Sequence, residues 1–145
     1  AATRVAFAPL TDRHGGARWT LVAGIGILVS LLFTMLHVNP DPAQGAAALT
    51  SEFHAFLFGF IAIFFFTGIG NASTFKQMPM IFERRQAGGV IGWTAAIAAF
   101  GPFLFGVGLN FLGAVTFYWI GVAWAVGCVV LTWMRYARKG APKPS

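Results

Sequence analysis

Four apolar stretches, at 18–38, 53–78, 89–112 and 115–134, take up most of this 145-residue chain. Each is long enough to cross a hydrocarbon core about 30 Å thick, which needs roughly 20 residues of helix. Inside that core an unpaired backbone group costs several kcal/mol, so only helices or a closed barrel can span it. The strict polar–apolar alternation of barrel strands is absent. The expected class is therefore an all-α membrane protein with four transmembrane helices. Composition points the same way: with 57% hydrophobic and 10% charged residues, there is too little polar surface to cover a water-soluble globule.

The net charge of +6 is distributed by topology and forms no interleaved patch for nucleic acid. Arg13 and Arg18 precede the first span, Arg84 and Arg85 lie between the second and third, and Arg135, Arg138, Lys139 and Lys143 follow the fourth. The loop at 37–48 and the turn near Leu112, Gly113 and Ala114 carry no Lys or Arg. Basic loops alternate with loops lacking them, which predicts a multi-pass protein with both ends, and the tail at 135–145, on the cytoplasmic side. The chain opens on Ala1 with no charged segment ahead of a short apolar core, so no signal peptide is expected and the chain reads as part of a longer protein.

Chemistry-bearing residues are few. Cys128 lies in an apolar run, where a thiol is ordinarily a small packed hydrophobe. His37 and His54 flank the outer loop and could ligate haem or a metal, but as interfacial residues they are more simply polar groups, and no cofactor is expected. No Ser/His/Asp or Cys/His arrangement, buried carboxylate pair or phosphate-binding loop is present, so no enzymatic function is expected. In the second span Asn71, Ser73 and Thr74 lie near or within the membrane. Ser and Thr there ordinarily bond a local carbonyl, which leaves Asn71 and Ser73 as candidates to line a path. Lys76 is close enough to the basic end to snorkel to the headgroups. In the third span Gly88, Gly92 and Ala96 recur every four residues, the spacing of a helix-packing face. Gly101 precedes a helix-distorting Pro102 and is a candidate for the path or its gating.

Two motifs carry a resemblance. The first is the run 68–82, GIGNASTFKQMPMIF, which leads into a third span opening with glycines. The second is Asp12-Arg13-His14-Gly15-Gly16-Ala17-Arg18, a charged, glycine-rich turn just ahead of the first span. Together they resemble the nitrate/nitrite porters of the major facilitator superfamily. The third-span segment at 92–103 resembles that family's second nitrate signature, with Ala98 where the pattern has glycine and Gly101 matching it. The resemblance implies helices nine to twelve of a twelve-helix transporter, with 1–10 as the end of helix eight. The first eight helices of the same protein would then be its partners, alongside lipid, in the inner membrane.

The same resemblance implies roles for particular residues. Asp12, Arg13, Gly15, Gly16 and Arg18 would form the conformational motif that ties neighbouring helix ends together through charge and helix-dipole contacts, with Pro102 as a gating element. Arg4, eight positions before Asp12, would be a substrate arginine for nitrate and nitrite, facing another from helix two. The family's glycine pair after that arginine is replaced here by Phe7 and Ala8. A guanidinium suits a planar oxyanion because its N–H fork donates two parallel bonds and keeps its charge when desolvated. Asn71, Ser73, Ala98 and Gly101 would complete the substrate-facing set. The function implied is transport by alternating access, with exchange weakly favoured over proton symport because no carboxylate sits mid-span. The residues by themselves leave two alternatives open: a haem- or quinone-associated four-helix membrane protein, and a major facilitator carrier for another small solute.

Overall fold

The computed structural model describes residues 16–38 and 45–141, and every regular element among them is helical. Helix α1 covers Gly16–Leu36, α2 Ala46–Ile81, α3 Arg84–Ala99, α4 Gly101–Leu112 and α5 Ala114–Thr132, with a π-helical turn at Trp133–Ala137. Four segments are long and apolar enough to cross a membrane: Gly16–Leu36, Ala46–Ile81, Arg84–Leu112 and Ala114–Ala137.

The helix ends differ from the sequence boundaries in ways that local chemistry explains. Helix α2 starts at Ala46, inside the segment read as loop, because Ala46, Ala47 and Ala48 are strong helix formers and Gly45, at φ 83°, supplies the turn before them. Its 36 residues span about 54 Å at 1.5 Å per residue, so one or both ends project beyond the hydrocarbon core. The third span is two helices. Pro102 has no N–H to give the carbonyl of residue 98 and its ring crowds that carbonyl, so α3 stops and α4 restarts around Phe100.

The tightest seam runs between α1 and α2, which are antiparallel. Gly16 lies against Gln77 and Ser73, Ala23 against Gly70, Gly26 against Phe66, and Gly59 against Thr34. Small residues line it because helices in lipid gain no hydrophobic drive to associate and rely on close backbone approach. A methyl group on Gly16 would fall 2.6 Å from Gln77 Cγ and 3.2 Å from the Ser73 carbonyl oxygen. The glycine of the turn motif is thus where the first helix is allowed to touch the second.

Helix α5 lies against the other flank of α1, with Val129 at Gly24 and Leu31 near Gly121. The third span is peripheral. It meets α2 near the 82–84 turn and α5 near the 113 turn, where Phe105 packs edge-on to Phe117 at 4.9 Å between ring centroids. Ala87 is its one buried residue. Methyl groups on Gly88, Gly92 or Gly101 would meet nothing among the described residues, so the expected packing face of the third span has no partner there.

Candidate functional site

The polar residues of the spans divide into two groups by what their side chains do. One group closes helix seams. Ser30 donates to the Gly26 carbonyl at 2.7 Å, Thr34 to Ser30 at 2.7 Å, and Ser73 to Gly70 at 3.0 Å. These are the local bonds that hide a hydroxyl in an apolar helix. Thr20 goes further, reaching the Gly16 carbonyl at 2.9 Å, the Ser73 hydroxyl at 2.8 Å and Gln77 Oε1 at 3.3 Å. Ser73 and Gln77 are buried, so this knot fastens the start of α1 to the last third of α2.

Ser73 therefore sits inside the α1–α2 seam, while its neighbour Asn71 faces a cavity. In a double-mutant cycle of Thr20→Val and Ser73→Ala, chemical unfolding should show a coupling of about 0.6 kcal/mol, the usual size of an interhelical hydrogen bond in a membrane. Strict additivity would mean that the two hydroxyls do not act on each other.

The second group lines that cavity, an opening of about 290 Å³ between α1, α2, α3 and α5. Its wall is mostly apolar, with Asn71, Thr74, Thr94 and Thr132 as polar members beside Ala98, and Thr20 of the seam knot borders it too. A second cavity, of about 450 Å³, is more apolar and is walled by Leu31, Phe60, Phe105 and Tyr118 together with Gly101 and Pro102. Thr67 borders both. Asn71 and Ala98 thus share one site, and Gly101 and Pro102 share the other, on either side of the break in the third span.

Of the turn motif, Gly16 and Arg18 lie in the first turn of α1, Gly16 buried and Arg18 exposed. Arg4, Asp12, Arg13 and Gly15 lie outside the described residues. At the other end of the bundle His37 Nδ1–H donates to Glu52 and stacks at a tilt on Phe33, joining α1 to α2. The exposed His54 donates from Nδ1 to its own helix, to the Thr50 carbonyl at 2.7 Å. Among the described residues no group of three or more His, Cys, Asp or Glu is placed to hold a metal ion. The His37–Glu52 pair and the Thr20 knot were not read from the sequence. The i to i+15 and i to i+53 separations carry no local signal, and only the antiparallel register brings them together.

Comparison with known proteins gives this geometry its context. Over 97% of its length the chain is 48% identical to the "Probable nitrate/nitrite antiporter NarK2" of Thermus thermophilus. It is 30% identical to the nitrate/nitrite transporter NarU of Salmonella typhimurium over 96% of its length, and to that of Escherichia coli over 90%. The chain belongs to the nitrate/nitrite porter family. It spans about a third of the length of the curated relatives it matches: 31%, 34% and 32% respectively. No family model and no solved structure matches it. Within this porter segment, the turn-motif residue Gly16 and the second-span run both fall on the α1–α2 seam and the cavity beside it.

Proposed function

We propose that this chain is the C-terminal part of a transporter that moves nitrate and nitrite across the inner membrane by alternating access. The observation that carries the reading is the 48% identity along nearly the whole chain to a relative described as a nitrate/nitrite antiporter. The helices would be numbers nine to twelve, with both ends of the segment and the tail at 135–145 cytoplasmic, as the placement of basic residues favours. The missing N-terminal helices and membrane lipid would cover the apolar flanks, of which Trp93, Phe111 and Trp124 are each more than 70% exposed.

The physical mechanism follows from where flexibility and charge are placed. The α1–α2 pair, sewn by small residues and the Thr20 knot, forms the rigid part of the segment. The third span is interrupted at Phe100, and that break makes it the element able to change its tilt between access states. Gly101 and Pro102 mark the pivot, and Asn71 and Ala98 lie on the side that such a movement would open or narrow. Arg4 would face the substrate together with an arginine from helix two. Two such charges repel across an empty site, and an anion between them offsets the repulsion and allows closure. In the sequence no carboxylate falls in the middle of an apolar stretch, which favours exchange over proton symport.

The test is counterflow in proteoliposomes containing the full-length transporter. Vesicles loaded with nitrite should accumulate external nitrate, and vesicles loaded with chloride should not. No exchange of either anion would overturn the reading.

A further inference from the structure

The C-terminal end of α1 and the first turns of α2 meet at the end of the bundle opposite the arginines, and a pair of side chains bridges them. His37, the residue after α1, donates from Nδ1–H to Glu52 in the second turn of α2, and its ring lies on Phe33 at 4.9 Å between centroids. The two side chains are 22% and 31% exposed, so salt screens the pair less than it would a fully exposed one. Beside the pair is an apolar recess of about 210 Å³, lined by Val38, Leu49, Phe53 and Phe56 together with His37. The outermost glycine contact of the α1–α2 seam is Gly59 against Thr34. From there to Ala46 α2 runs on for about three and a half turns, and Glu52 is its polar tie to α1 in that stretch.

The charges around the pair decide what it can do. Among the described residues at this end, Glu52 is the one carboxylate, and His37 and His54 are the only groups able to become cations. His54 is exposed and uses its Nδ1–H on the Thr50 carbonyl of its own helix at 2.7 Å. The third span and α5 meet at the 113 turn without a charged residue, and Tyr118 is the first titratable group beyond that turn. Asp41, in the connecting loop, lies outside the described residues. No lysine or arginine among the described residues therefore competes for Glu52, and the strength of its bond depends on whether an imidazole is charged.

Imidazoles ordinarily change charge between about pH 5 and 8, whereas carboxylates ordinarily stay ionised down to about pH 4. At the acid side of that range the bond joins imidazolium to carboxylate, and at the alkaline side a neutral ring donates a single hydrogen bond. Charge-assisted bonds are roughly twice as strong as neutral ones. A histidine that gains an acidic partner on folding adds stability that is complete at acid pH and shrinks as pH rises. The dipole of α1 acts in the same direction, because a positive charge just past Leu36 faces the unpaired carbonyls of the helix end.

We infer that His37 and Glu52 form a proton-responsive latch, which fastens the outer turns of α2 to the end of α1 at acid pH and lets them loosen as pH rises. The latch binds a proton without passing it on, so it would give an exchanger a pH response with no proton crossing the membrane.

Amide hydrogen exchange of the full-length transporter in lipid nanodiscs, followed by mass spectrometry, reads this local opening. Rates are divided by the intrinsic chemical rate at each pH, so that only opening of the structure is compared. Protection of the amides at 50–56 should be about three- to tenfold higher at pH 6 than at pH 8, the difference expected when a charge-assisted bond becomes a neutral one. His37→Gln and Glu52→Gln can still hydrogen-bond but cannot form the ion pair, and in each the protection at the two pH values should be equal. Amides at 66–73, inside the seam, should behave alike in all three proteins and show that the variants are folded. Equal protection of the parent at pH 6 and pH 8 overturns the inference, and so does a fall with pH that persists in either variant. The measurement contains no nitrate and does not depend on transport, so its failure and a failure of nitrate exchange are separate results.

Discussion

Replacing Arg4 by lysine in the full-length transporter should lower nitrate uptake by about 10- to 100-fold at subsaturating substrate, the equivalent of roughly 1.5–3 kcal/mol for hydrogen bonds to a charged group. Charge is retained in this variant, so the loss isolates geometry. An ammonium cannot give two parallel hydrogen bonds to adjacent oxygens of a flat anion. Initial rates of labelled nitrate entry into proteoliposomes, measured across substrate concentrations, read the effect as a change in kcat/KM. Uptake by Arg4→Lys equal to the parent would remove Arg4 from the substrate site and leave the family's other residues to account for anion recognition.

Gly59→Val should destabilise the protein by about 1–3 kcal/mol, the usual penalty for forcing added atoms into a packed seam. A Cβ at this position would run into the Thr34 hydroxyl and lie 2.9 Å from the Phe33 ring. Thr34 cannot yield easily, because it is fully buried and its hydroxyl is committed to the Ser30 carbonyl. Thermal unfolding in detergent, followed by tryptophan fluorescence, should show a clear drop in midpoint. Gly88→Val provides the contrast, since nothing among the described residues approaches that position. An unchanged midpoint for Gly59→Val would mean that the two helices are not in contact there. A loss at Gly88 would instead show that helices outside this chain pack against the third span.

The sequence by itself determined the class of the molecule, because the rules that govern it are local. Twenty apolar residues in a row must be helical in a bilayer, and Arg84, Arg85 and Arg135 mark where the chain re-emerges. Family membership was legible for a similar reason: the turn motif before the first span and the run through Asn71 and Ser73 are contiguous in sequence. Helix extension at Ala46 was missed because apolarity, not propensity, set the expected boundary. Propensity still acts where the helix leaves the membrane.

What only the tertiary structure decided was the division of labour among residues of like chemistry. Asn71 and Ser73 are two positions apart, and nothing in their order says that one faces a cavity while the other is tied to Thr20, 53 residues away. A helix turns 100° per residue, so two steps rotate a side chain from one neighbour to another, and which neighbour stands there is set by packing. The glycines divide in the same way. Gly16, Gly26 and Gly59 are places where α1 and α2 touch, whereas Gly88 and Gly92, which the regular spacing had marked for packing, face nothing among the described residues. Spacing fixes which residues share a face, and only the arrangement of helices determines whether another backbone lies against it.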